Sequence, residues 1–205
     1  MWAFCGAEHY TFDKRYVQGY SKLNRPNYEK KLDLNRYVWN QKIKYFKKVN
    51  KIICTTEWMF KKASESYLFK DKKIAKIPLL IDKKFWSPTD YKISKKNLGL
   101  DENKVTICFG AENFVKNKRK GFNYFKEAIE KISDKKPFQI ILFGSDENIN
   151  IINSSVKIIN LGKINDEEII RKIFSASDIV VMPSTIEAFG QVVYEALHCG
   201  APCVI

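Results

Sequence analysis

Val105-Thr-Ile-Cys-Phe109, Phe138-Gln-Ile-Ile-Leu-Phe143 and Asp178-Ile-Val-Val-Met182 are short, nearly unbroken apolar runs. Val156-Lys-Ile-Ile-Asn-Leu161 and Cys203-Val-Ile205 add two further strand-like segments. Between them lie stretches of helical pattern: Phe122 to Ile132, a capped stretch opened by Asn165-Asp-Glu-Glu and ending near Ser175, and Gly190 to Cys199. A run that is apolar without alternation is a strand covered on both faces. Such strands alternating with helices form a parallel sheet with helices on either side. The predicted fold class is therefore α/β, a doubly wound sheet. The chain stops inside the last strand, so a truncated product is expected.

Working outward toward the N-terminus, Leu32, Trp39, Ile43 and Phe46 recur at helical spacing among lysines and predict an amphipathic helix within 29–49. Lys51-Ile-Ile-Cys54 reads as a strand. Thr55 and Thr56 offer an N-cap for a helix beginning Glu57-Trp-Met-Phe, and Ile74 to Ile77 reads as a second strand. No regular element is assigned to 1–28. Pro78-Leu-Leu-Ile-Asp82 and Phe85-Trp-Ser-Pro88 break the pattern, which places a domain boundary near 80–95 and gives domains 1–85 and 86–205. The aromatic group Trp2, Phe4, Tyr10, Phe12, Tyr16 and Tyr20 is read as a packed segment in preference to a sugar-stacking platform.

Composition excludes several classes. With 205 residues, 45% of them hydrophobic, and no apolar run near the ~20 residues of a membrane span, the chain is neither disordered nor transmembrane. No basic region follows Met1, which points to the cytoplasm. Cys5, Cys54, Cys108, Cys199 and Cys203 have no metal-ligand spacing and are expected to be reduced thiols. The net charge of +13 is one-sided: residues 1–100 hold 23 Lys/Arg against 9 Asp/Glu, whereas 101–205 hold 13 against 14. The basic half is either a solvated face or a surface for an anionic partner, such as a phospholipid membrane or a phosphate-bearing acceptor. Lys42, Lys44, Lys47, Lys48 and Lys51, at the end of the predicted helix, are the residues expected to matter most. A nucleic-acid partner is not expected, since no such motif is present.

In a doubly wound sheet ligands sit at the carboxyl ends of the strands, and there Gly110, Gly144, Gly162 and Gly190 fall. No GxGxxG or GxxxxGK[ST] is present. The densest feature is Pro183-Ser-Thr-Ile-Glu-Ala-Phe-Gly-Gln-Val-Val-Tyr-Glu195, which runs from a strand end into a helix. The first N–H groups of that helix, near Phe189, Gly190 and Gln191, suit a diphosphate. Glu187 lies just before the helix and Glu195 more than a turn inside it, so the two carboxylates address different parts of one extended ligand. His198 and Cys199 alone do not make a metal site.

Glu187-Ala-Phe-Gly-Gln-Val-Val-Tyr-Glu195, followed by Ala196-Leu-His-Cys-Gly200-Ala-Pro202, resembles the E-x7-E donor motif of the family 4 (group 1) glycosyltransferases of GT-B fold. The likeness continues through Phe174-Ser-Ala-Ser-Asp178, Leu161-Gly162-Lys-Ile, Lys120-Gly121-Phe and Ile77-Pro78…Ile81-Asp82…Phe85…Pro88. The opening Met1-Trp-Ala-Phe-Cys-Gly-Ala-Glu-His9-Tyr10 is similar to the colanic-acid and capsule subgroup, which often has cysteines where this chain has Glu8, Asp13 and Tyr20. The resemblance implies a partial acceptor-side domain followed by a truncated Rossmann-like donor domain. It also implies retaining transfer of a sugar from a UDP- or GDP-sugar to a saccharide or lipid-linked acceptor, without an obligatory metal or other cofactor. No DxD signature is present.

By the same resemblance Glu195 takes the ribose hydroxyls, Glu187 the donor-sugar hydroxyls, Gly190 and its neighbours the diphosphate, and Lys120 neutralises it. The family's arginine about five residues before that lysine is missing: Val115 and Lys116 occupy the region, and Lys116 or Arg119 is expected to substitute. The family's usual catalytic histidine is expected upstream of Met1, so His9 is not assigned that role. Envelope polysaccharide synthesis, with peripheral contact at the inner face of an anionic membrane, is the expected setting. The alternatives are a remnant that retains only nucleotide binding and a basic membrane- or nucleic-acid-binding module.

Overall fold

A computed structural model describes residues 2–7, 13–132, 137–147, 149 and 156–205. The chain divides into two compact units, Met1–Leu80 and Ile81–Ile205. Ile81 and Phe85, from the stretch that breaks the sequence pattern, pack against the core of the second unit.

The first unit contains α1 (Arg15–Gln18), α2 (Leu34–Phe46), β1 (Lys51–Cys54), α3 (Glu57–Glu65) and β2 (Lys73–Lys76). β1 and β2 pair in parallel, Lys51 opposite Lys73. Thr56 caps α3, accepting from Met59 N at 3.2 Å. Asp33 caps α2 by accepting from Arg36 N at 3.0 Å, which starts that helix later than the apolar spacing alone suggests. The short α1 lies where no element was expected. It is held by side-chain bonds, one local and two to more distant residues: Arg15 pairs with Asp13 and Glu29, and Tyr16 donates to Glu65 at 2.6 Å.

Phe4, Tyr16, Tyr20 and Trp39 form the unit's aromatic core, with Tyr20 and Trp39 ring centroids 5.0 Å apart. Of the aromatic group read from the sequence, Tyr10 and Phe12 lie outside the described residues, as do Glu8 and His9. Lys42 does not join the exposed lysines. Its ammonium donates to the carbonyls of Trp2, Cys5 and Gly6 at 2.6, 2.6 and 3.0 Å, and burial pushes its pKa down. Lys44, Lys47, Lys48 and Lys51 are exposed.

The second unit contains α4 (Tyr91–Asn97), β3 (Val105–Gly110), a 3-10 turn (Lys118–Lys120), α5 (Phe122–Lys131), β4 (Phe138–Phe143), β5 (Lys157–Asn160), α6 (Glu167–Ser175), β6 (Ile179–Val181), α7 (Gln191–His198) and β7 (Cys203–Val204). The five strands are all parallel, in the order β5-β4-β3-β6-β7. Alternate residues go to opposite sides. Ile141 and Phe143 of β4, with Cys108 of β3, pack under Ile173, Phe174 and Ala196 of α6 and α7. Phe138, Ile140 and Leu142, with Phe109, pack under Phe122, Phe125 and Ile129 of α5. Both faces are covered, which is why these strands read as nearly unbroken apolar runs.

The lysine-rich α4 was not predicted. Asp90 caps it at 2.8 Å from Ile93 N, and its Lys95 is wholly buried. The Lys95 ammonium donates to Lys104 O at 2.7 Å, pairs with Asp178 at 3.3 Å and lies 4.4 Å from the Tyr91 ring centroid. Asp178 also accepts from Tyr91 OH at 2.9 Å and Thr106 N at 2.7 Å. This network fastens α4 to the amino ends of β3 and β6. Asp178→Ala should lower unfolding free energy by about 2–3 kcal/mol, below the full cost of breaking a buried pair because Asp178 is partly exposed. Lys95→Met should cost less, since it removes the buried charge itself. Urea unfolding of the two variants gives the comparison.

Candidate functional site

The strand order reverses between β3 and β6, so the crevice outside their carboxyl ends is the switch point of the sheet. Two segments far apart in sequence meet there: the 3-10 turn with Gly121, and the loop after β6. Gly121 is left-handed (φ 71°), and a Cβ on it would lie 1.8 Å from the Pro183 carbonyl oxygen. Thr185 N donates to Arg119 O at 2.9 Å across the same crossing. On this frame Lys120 and Glu187, 67 residues apart, meet as an ion pair at 2.5 Å, both about a quarter exposed.

Four residues after Glu187, α7 begins. Gly190 caps it in the left-handed conformation (φ 78°), where a Cβ would meet Met182 Cε at 3.3 Å. The first-turn N–H groups of the helix have no intrahelical acceptors and, with the helix dipole, present partial positive charge to the crevice. Phe189 packs edge-on against Tyr194, centroids 5.2 Å apart. Gln191 donates to the Glu195 carboxylate at 2.7 Å. Glu195 is buried, and its pKa is pushed up by burial, opposed by the Gln191 bond and reinforced by the neighbouring Glu167.

The remaining predicted residues have other surroundings. Gly110 ends β3, and the Phe143 ring fills the space a Cβ would take, 2.0 Å away. Gly144 (φ 103°) is pressed against the Ala111 carbonyl, accepts from Asn113 N and donates to Gly162 O, both at 2.7 Å, so that the loops after β3, β4 and β5 are tied in a row. Both glycines shape the floor of the crevice through strand-end packing. Lys116 is exposed and pairs with Glu147 at 2.5 Å, which pushes its pKa up. Arg119 contributes its carbonyl to the crossing. Among the described residues no group of three or more His, Cys, Asp or Glu is arranged to hold a metal ion, and all five cysteines are free thiols. A cavity of about 650 Å³ lined by Leu98, Leu161, Ile164 and Ile169 lies against α6 and includes none of the predicted donor residues.

Sequence reasoning did not single out the crossing itself. Gly121 and Pro183 each stand in a quoted motif, but their contact was not visible. No role was assigned to Ser184, whose hydroxyl oxygen is buried on the same loop without a hydrogen bond among the described residues.

The family model described as glycosyl transferases group 1 matches residues 103–205. The chain belongs to this family. A curated relative, N-acetyl-alpha-D-glucosaminyl L-malate synthase of Bacillus anthracis, is 28% identical over 141 residues, 65% of this chain and 35% of its own length. An uncharacterized glycosyltransferase of Methanocaldococcus jannaschii is 26% identical over 119 residues, 54% of this chain and 29% of its own. The chain thus spans about a third of the length of these relatives. Among solved structures, WaaG, a glycosyltransferase of lipopolysaccharide biosynthesis, superposes with TM-score 0.66 at 18% identity, covering 96% of this chain and 54% of WaaG. Anabaena HepE in complex with UDP-glucose superposes with TM-score 0.58 at 16% identity, covering 80% and 47%. These likenesses establish a GT-B type α/β fold for this group 1 chain.

The raised pKa of Glu195 fixes a sign for stability. A carboxyl whose folded-state pKa exceeds its unfolded value destabilises the fold above the folded pKa, and that cost disappears as pH falls below the unfolded one. Glu195→Gln should therefore melt above the wild type at pH 8, with the gap closing toward pH ~4. Thermal melts across this range measure it. A gap that widens on acidification would reverse the sign.

Proposed function

We propose that this chain carries the donor site of a retaining glycosyltransferase, moving a sugar from a UDP- or GDP-sugar to a saccharide or lipid-linked acceptor. The carrying observation is the meeting of Lys120 and Glu187 beside the start of α7 at the sheet's switch point, with Glu195 one turn further along that helix. In this reading the second unit binds the donor and the first belongs to the acceptor side. Glu195, inside the helix, takes the ribose hydroxyls. Glu187 orients the sugar, while Lys120 and the N–H groups at Gly190 and Gln191 stabilise the departing diphosphate, the charge that grows most in the transition state. That HepE holds UDP-glucose and that WaaG serves lipopolysaccharide synthesis support a nucleotide-sugar donor and an envelope polysaccharide product.

Titration calorimetry with UDP and GDP is the direct test, and binding of one of them at the crevice is expected. Absence of binding by either would remove the reading. Glu195→Ala should weaken the nucleotide about tenfold, since it loses hydrogen bonds to a charged acceptor. In turnover it should act mainly on KM, and Glu187→Ala mainly on kcat, because only the latter residue touches the sugar that changes.

The basic first unit supports peripheral contact with an anionic membrane at its cytoplasmic face, through Lys44, Lys47, Lys48 and Lys51. Co-sedimentation with anionic vesicles, weakened by salt and by charge reversal at 44, 47 and 48, is expected. Equal binding to neutral vesicles would count against it. No helix among the described residues is long and apolar enough to cross a membrane.

A further inference from the structure

The Lys120–Glu187 pair joins the two side chains that the proposed function assigns to different parts of the donor, one to the diphosphate and one to the sugar. Each satisfies the other, at 2.5 Å, and neither is buried enough to be locked there. The frame beneath them is rigid by comparison. Gly121 has no clearance from the Pro183 carbonyl, and Thr185 is bonded to the Arg119 carbonyl, so the backbones hold their spacing while the two side-chain ends can part.

We infer that Glu187 is an internal competitor for Lys120, occupying the cation until a diphosphate displaces it and thereby setting the preference of the site for donor over spent nucleotide. The inference rests on the proposed donor site. A diphosphate carries more charge than a carboxylate and wins the ammonium. Displacement then costs every diphosphate ligand the same pair. Only a ligand with a sugar attached recovers that cost, because its hydroxyls donate to the carboxylate just released. A nucleoside diphosphate pays for the opening and leaves Glu187 facing it unpaired. The discrimination thus comes from a repulsive element as well as an attractive one.

Two measurements on wild type and Glu187→Gln test this. The first needs no ligand: the acylation rate of Lys120 under limiting reagent, followed by mass spectrometry of the peptide that holds Lys120 after labelling and digestion. Release of the ammonium should raise that rate about two- to fivefold, the range given by a partly exposed ion pair. The second is titration with UDP, GDP and their glucose conjugates. Glu187→Gln should bind the nucleoside diphosphate about two- to fivefold more tightly while its preference for the sugar conjugate falls. Unchanged Lys120 reactivity, or nucleoside diphosphate affinity that is unchanged or weaker in the variant, would overturn the inference and leave the donor site standing. Failure of the wild type to bind any of the four ligands would overturn both, a result separable from the first. Near-ultraviolet circular dichroism of the variant should match the wild type, as expected for a near-isosteric change at a partly exposed side chain.

Discussion

The candidate site depends on one close approach between backbones. Gly121 sits so near the Pro183 carbonyl that no side chain fits between them. The positive φ at 121 adds a second reason for glycine, since an L residue with a Cβ is strained there. This contact, with the Thr185–Arg119 hydrogen bond, brings the turn after β3 onto the loop after β6. Without it Lys120 would be one of many solvated lysines. With it, the lysine lies beside Glu187 at the mouth of the crevice, and α5 and α7 both begin there.

The electrostatics around α7 weigh against the stability of the fold. Glu195 is a buried carboxylate in a helix interior, with Gln191 as its bonded neighbour and Glu167 nearby, and the fold would be better served by a neutral side chain. Lys95 and Asp178 are the contrast on the opposite end of the sheet. There a buried ammonium is provided with a carbonyl, a carboxylate and an aromatic face, and the arrangement fastens α4 to the sheet. Charges with full complements of partners serve the fold, whereas a buried carboxylate with spare acceptor capacity one turn into a helix is suited to a ligand.

The excess of lysine in the first unit likewise divides by partner. Lys42 donates to three backbone carbonyls and organises the segment around Trp2 to Gly6, a structural task for a residue whose neighbours Lys44, Lys47 and Lys48 face solvent. A basic surface therefore cannot be counted from the sequence alone, because a long flexible side chain can turn its head inward when several carbonyls converge.

The sequence by itself determined the parallel α/β fold, since strands covered on both faces are apolar at nearly every position, as Phe138–Phe143 is apart from Gln139. It also singled out the Glu187–Glu195 segment as the candidate site, because a glycine at a strand-to-helix turn flanked by two carboxylates is a local pattern, and the group 1 likeness lay in the same residues. It missed α1 and α4: the first is a single turn held by Asp13, Glu29 and Glu65, and the second hides a buried lysine in a run that reads as solvated. Only the tertiary structure decided which of the neighbouring cations meets Glu187. Lys116 turns to Glu147 and Arg119 gives its carbonyl to Thr185, while Lys120 reaches the carboxylate. The physical reason is that a pairing across 67 residues follows from where two backbones cross, and local spacing carries no record of that crossing.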